Sequence, residues 1–262
     1  MDQITIGYLS WKRHDIFNKT LTSHKNNGLF DLILPQNRII FFQEICDTDI
    51  YLAKKFDCNY IGNKQNIGIL NAFIELVENC KTEYFIFCEN DWYLNETKNI
   101  TKTILNDCIS IFKEDKANVI KLRHRKNPGN PLHSKNVFSY NNCMDFPYKL
   151  ESLSWVNDPN VTYNNILDEF NGNYRWYITS LSHQRWSNNI FICKINDIKN
   201  ILIPLIKLNK NDDKYKGLED ILINYNNFLG LTQDQDTIIN KYATSIIIAA
   251  GEGLFTHNDF LR

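Results

Sequence analysis

Short apolar runs alternate along the first half of the chain with segments whose apolar residues recur every three or four positions. Ile4 to Leu9, Arg38 to Gln43, Asn59 to Gly62, Tyr84 to Glu89 and Val119 to Leu122 read as strands, rich in aromatic and β-branched residues. Between them Asp15 to His24, Asp49 to Phe56, Gly68 to Asn79 and Ile100 to Lys113 read as helices; in the third, Ile69, Phe73, Leu76 and Val77 fall on one face. Ser10 to Arg13 reads as a polar turn, and Asn26-Asn27-Gly28 as a helix stop. This alternation predicts an α/β fold, a mostly parallel Rossmann-like sheet with helices on both faces.

The pattern weakens after residue 123. Asn127-Pro128-Gly129-Asn130-Pro131 is a turn signal, and polar, aromatic-rich sequence follows to about Trp176 without clean periodicity. Ile190 to Cys193 then reads as a strand, Asp197 to Leu208 and Leu218 to Leu229 as helices, and Ser245 to Ala249 as a last strand. With no internal repeat or interdomain linker, a single domain over residues 1–262 is the expectation.

Composition narrows the function classes. Of 262 residues, 43% are hydrophobic and 23% charged, and the formal net charge is −1, so no global field favours nucleic acid. The basic run Lys121 to Lys126 is accordingly expected to be a loop beside a diphosphate or a solvated rim. Seven scattered cysteines form no Cys-x-x-Cys pair, which argues against a zinc ribbon and for buried free thiols in a reducing, cytoplasmic compartment. A strand pattern almost at Met1 leaves no room for a signal peptide, and Ile246 to Ala250 is too short to span a bilayer, so no transmembrane segment is expected.

The chemistry-bearing feature is Glu89-Asn90-Asp91, two acids at the carboxyl end of the most apolar strand. Open α/β sheets bind ligands at that edge, and hard carboxylate oxygens suit Mn²⁺ or Mg²⁺. With Asn66-Ile67-Gly68-Ile69-Leu70-Asn71-Ala72 opening the preceding helix, this order of motifs resembles the GT-A glycosyltransferases, especially the family 2-like group. The resemblance covers residues 3 to 125 well and the remainder loosely. It implies a donor-binding half over 1–125 and an acceptor-binding half over 126–262.

The resemblance also implies roles. Asp91 becomes a ligand of Mn²⁺ or Mg²⁺, and Glu89 a ribose or supporting contact. Asn66, Gly68, Asn71 and Asn90 flank a nucleotide-sugar donor. Ser10 and Arg13 after the first strand, and Glu44 and Asp47 after the second, meet the nucleoside, although the family's Asp-Asp-Gly-Ser is missing there. Asp220, with Glu219 in reserve, becomes the base that deprotonates an acceptor hydroxyl, with Asp234-Gln235-Asp236 as a competing cluster. His257, in the glycine-rich segment Gly251 to His257, becomes a further metal ligand. Trp186 and Asn188 become contacts to a glycan or other hydroxyl acceptor. The activity implied is transfer from a UDP-sugar with inversion. A retaining enzyme, a sugar-phosphate nucleotidyltransferase and a non-catalytic glycan- or partner-binding protein are the alternatives. The nucleotidyltransferase ranks lower because Ser10 to Asp15 holds no glycine.

Overall fold

Strand β4 (Tyr84–Glu89) feeds two cores at once, because successive side chains of a strand leave on opposite faces. Tyr84, Ile86 and Cys88 enter one core, Phe85 and Phe87 the other. The computed structural model describes residues 1–129, 167–181, 188–209 and 246–258. Within these residues β1 (Ile4–Trp11), β2 (Arg38–Gln43) and β3 (Asn59–Asn63) precede β4. After it come β5 (Trp92–Leu94), β6 (Val119–Arg123), β7 (Asp168–Asn171), β8 (Arg175–Ser180), β9 (Phe191–Lys194) and β10 (Ile247–His257). The helices are α1 (His14–Asn26), α2 (Leu29–Leu32), α3 (Asp47–Lys55), α4 (Gly68–Asn79) and α5 (Lys98–Lys113). A further helix among the described residues, α6, runs through Ile195–Asp197, a π-helical stretch Ile198–Leu202 and Ile203–Asn209.

The strand order is β3-β2-β1-β4-β9-β6-β10-β8-β7, with β5 pairing the end of β10. The first four strands are parallel to one another, and β10 is parallel to β6. Strand β9 enters antiparallel between β4 and β6, and the β7–β8 hairpin closes the far edge. On one face α1, α3 and α5 contribute Phe17, Leu21, Leu52, Ala53, Leu105 and Phe112 to the core. On the other face α4 and α6 contribute Phe73, Leu76, Val77, Leu202 and Ile206. Each such buried Val, Leu, Ile or Phe side chain stabilises the fold by roughly 1.5–3 kcal/mol. The expected α/β sheet with helices on both faces is therefore present, and no helix among the described residues is long and apolar enough to cross a membrane.

Three elements depart from the sequence reading. Strand β1 continues through Ser10 and Trp11 into the stretch expected to turn, because Ser10 and Trp11 stay in register with Phe42 and Gln43. The β7–β8 hairpin carries no periodic signal; it is held by buried Asp107 of α5. That carboxylate accepts from Asn173 N (3.0 Å), Asn173 Nδ2 (2.7 Å), Tyr174 N (2.9 Å) and Trp176 Nε1 (3.1 Å). Strand β10 runs past its expected end to His257. The predicted helix Leu218 to Leu229 lies outside the described residues.

One buried polar relay ties α1 to the sheet. The Tyr8 hydroxyl lies 2.7 Å from His24 Nδ1, and His24 Nε2 lies 2.9 Å from the Trp92 carbonyl. A carbonyl only accepts, so Nε2 carries the proton and Nδ1 accepts from Tyr8. Burial lowers the His24 pKa to about 4. Its folded value lies below the ordinary 6.5, so protonation favours the unfolded chain. Stability is full above pH 6.5 and falls by about 3 kcal/mol as pH drops towards 4. Urea midpoints across that window should fall more steeply for the wild type than for His24→Gln. Equal slopes would remove His24 as the cause.

Candidate active site

The carboxyl edge of β1, β2 and β4 is shaped by unusual backbone. Lys12, Arg13 and Glu44 all adopt left-handed conformations, with φ of 54°, 55° and 53°. Such residues each cost roughly 1 kcal/mol or more and persist only where surroundings impose them. Here Lys12 Nζ pairs with Glu44 Oε2 at 2.9 Å, and the Arg13 carbonyl accepts from Phe17 N at 3.0 Å to start α1. The turn thereby aims the Arg13 guanidinium across the edge to Asp91, Nη1 to Oδ2 at 3.0 Å.

Asp91 is the centre of the site. Its other oxygen, Oδ1, lies 3.4 Å from His257 Nε2, an ion-pair contact. Burial pushes the Asp91 carboxyl up, but contact with His257 and the charge of Arg13 more than offset it and hold the group below the usual carboxylate range. Asp91 is thus an anion buried to 6% exposure. Several buried polar atoms around it make no hydrogen bond among the described residues: Asp91 Oδ1, Arg13 Nη2 and Ser10 Oγ. Orphaned groups of both signs at one sheet edge call for a ligand rather than for packing. A buried carboxylate oxygen beside an imidazole nitrogen, with Glu89 one residue removed, is a donor set that fits Mn²⁺ or Mg²⁺.

His257 reaches Asp91 because β10 bends. Ile248 to Ala250 pair with β6; the register then slips, and Phe255 to His257 pair antiparallel with β5, placing His257 opposite Trp92. Gly253 makes the slip possible. Its φ is +72°, and a Cβ there would meet the Arg123 carbonyl at 2.0 Å. The imidazole then packs on the Trp92 indole, ring centroids 4.7 Å apart.

Glu89 ends β4 half-buried, and Asn90 is buried with its carbonyl accepting from Thr20 Oγ1 at 2.9 Å. Asn66 Oδ1 accepts from Gly68 N at 2.9 Å, and exposed Asn71 donates to the Ile67 carbonyl at 2.8 Å. Asn188 is buried ahead of β9. Trp186, Glu219, Asp220, Asp234 and Asp236 lie outside the described residues.

The expectation for Lys121 to Lys126 is corrected in part. Lys121, Arg123 and His124 are buried rather than solvated, Lys121 over the Phe191 ring and Arg123 over Trp92. His124 Nδ1 accepts from Lys126 N and Asn127 N, so its Nε2 donates to Glu96 at 2.7 Å. The run therefore pins a loop.

Gln43 was missed by sequence reasoning. Its Oε1 accepts from Ile67 N at 2.8 Å and its Nε2 donates to the Gly68 carbonyl at 3.0 Å. It fixes the start of α4 to the end of β2. A lone glutamine at a strand end gives no signal of this in the sequence.

No protein-family model matches the chain, and no curated protein matches it by sequence. Solved structures do match. Glucosyl-3-phosphoglycerate synthase from Mycobacterium tuberculosis, in complex with Mn²⁺, UDP-glucose and phosphoglyceric acid, superposes with a TM-score of 0.55 at 10% identity. That match covers 98% of this chain and 72% of the other. The fold is that of the GT-A glycosyltransferases. S. aureus TarS residues 1–349 in complex with UDP match at TM-score 0.52 and 11% identity over 98% of this chain. This chain spans 60% of that TarS fragment and 37% of a longer TarS chain.

Gly253→Ala should destabilise the chain by about 2 kcal/mol, since the new Cβ meets backbone in a left-handed conformation. Denaturant unfolding measures this. A change under about 0.5 kcal/mol would mean that β10 does not need the bend.

Proposed function

We propose that the chain is a metal-dependent glycosyltransferase that moves a sugar from a UDP-linked donor to an acceptor hydroxyl. The observation that carries this is the meeting of Asp91, at the end of β4, with His257, at the end of β10, beside Arg13. The Mn²⁺ or Mg²⁺ ion held by Asp91 and His257 would supply positive charge to the diphosphate leaving group. Two complexes of GT-A structures with UDP or UDP-glucose, one of them with Mn²⁺, support the choice of donor.

The chain's own groups take the other roles. Ser10 and Glu44 stand at the edge where a nucleoside lies, and Glu44 accepts from its ribose or base. Arg13 pairs with Asp91 before a donor is present and turns its planar fork to the diphosphate afterwards. Asn66, Gly68, Asn71, Glu89 and Asn90 flank the donor. Asp220 takes the proton of the acceptor hydroxyl as that oxygen attacks the anomeric carbon from the face opposite UDP, inverting its configuration. Glu219 is the reserve base. Trp186 and Asn188 offer an aromatic face and an amide to a glycan or other hydroxyl acceptor. The first half of the chain is the donor side and the second the acceptor side.

UDP with Mn²⁺ at a hundred times Kd should raise Tm by about 5 °C, and Asp91→Ala should abolish the shift. No shift in the wild type would favour a non-catalytic binding protein instead. Arg13→Met should tighten Mn²⁺ binding roughly tenfold without nucleotide, read by manganese electron paramagnetic resonance, while weakening UDP. Looser Mn²⁺ in that variant would contradict the competition for Asp91. Asp220→Asn should lower kcat about 10²- to 10⁴-fold with donor binding unchanged. A product that retains the anomeric configuration would remove Asp220 from the base role.

A further inference from the structure

A second cluster of ligating side chains stands at the same sheet edge, on different residues. His14 opens α1, Cys46 immediately precedes α3, and Asp49 lies in the first turn of α3. His14 Nε2 is 3.0 Å from Asp49 Oδ1 and 3.7 Å from Cys46 Sγ, and the three ligand atoms all lie within 4.8 Å of one another. Asp49 is buried and its Oδ2 accepts from Cys46 N at 2.9 Å, which fixes the carboxylate with Oδ1 turned to the imidazole.

From this geometry we infer that His14, Cys46 and Asp49 form a binding site for one thiophilic divalent cation of the zinc class. In a tetrahedral zinc site, Zn–N of 2.0–2.1 Å, Zn–S of 2.3 Å and Zn–O near 2.1 Å separate N from S by about 3.6 Å and N from O by about 3.3 Å. The observed 3.7 and 3.0 Å lie within a few tenths of an ångström of these, and the sulfur and carboxylate lie within 4.8 Å of each other. Thiolate and imidazole together select zinc over Mg²⁺ or Ca²⁺, whereas the Asp91 site offers no sulfur. Three protein ligands leave a fourth position for water.

The thiol is the telling member. A capping box and a His–Asp hydrogen bond need no sulfur, and Cys is not a favoured cap where Ser, Thr, Asp or Asn serve. Among the described residues Cys58, Cys80, Cys88, Cys108 and Cys193 are buried, while Cys46 is exposed and open to an ion from solvent. The ion displaces the thiol proton on binding. It joins the first turn of α1 to that of α3, and His14 follows Arg13 directly, so the clamp steadies the turn that carries Arg13.

Co²⁺ reports such a site through its thiolate charge-transfer absorption in the near ultraviolet. One equivalent of Co²⁺ added to the full chain should produce that band, and Zn²⁺ should displace it. Cys46→Ser, a variant that keeps a good cap, should lose the band and bind Zn²⁺ at least tenfold more weakly in chelator competition. His14→Gln should weaken both metals similarly, and Asp91→Ala should leave the band intact. No band in the wild type, or a band that survives Cys46→Ser, would overturn the assignment. Because the readout is independent of UDP and of Asp91, its failure leaves the proposed transferase reading untouched.

Discussion

A carboxylate taken out of water stays ionised only if charge or hydrogen bonds replace the lost solvent. Asp91 meets that demand with Arg13 on one oxygen and His257 beside the other. The arrangement depends on three separate pieces of chain. The left-handed turn after β1 aims Arg13, the abrupt end of β4 presents Asp91, and the bend in β10 delivers His257. Loss of any one would leave a buried charge short of a partner, which is more costly than never having buried it.

The supporting structure is organised around holding those pieces. His24 anchors the Trp92 backbone next to Asp91, and the Trp92 indole provides a face for His257. Arg123 also lies over Trp92 and donates to the Pro128 carbonyl at 2.9 Å, while Pro128 in turn accepts from His257 N at 3.2 Å. Cations that look like a solvated patch in the sequence are therefore part of the scaffold behind the site. Gln43 likewise fixes the opening of α4 to the end of β2.

Much of the fold was legible from local pattern. Strand β2 and helix α4 begin and end where the apolar period says, because their burial is set by residues within the element. Asp91 and Arg13 were nominated because ligand sites in such sheets lie at strand ends, and the structure brings their side chains together. What stayed hidden depends on distant partners. The β7–β8 hairpin rests on Asp107, far away in the chain, and the reach of β10 to His257 rests on a glycine-permitted slip against Arg123. His257 was nominated on its glycine-rich setting, yet nothing local could say that it would meet Asp91. The meeting of His14, Cys46 and Asp49 was equally invisible, since the fold brings them together only in three dimensions.

The most direct test of the central claim is anomalous scattering at the manganese edge from crystals of the full chain grown with UDP and Mn²⁺. The account predicts a peak within coordination distance of Asp91 and His257, with Arg13 turned from Asp91 to the diphosphate. A peak elsewhere, or UDP bound with the Arg13–Asp91 pair intact and no manganese beside it, would contradict it.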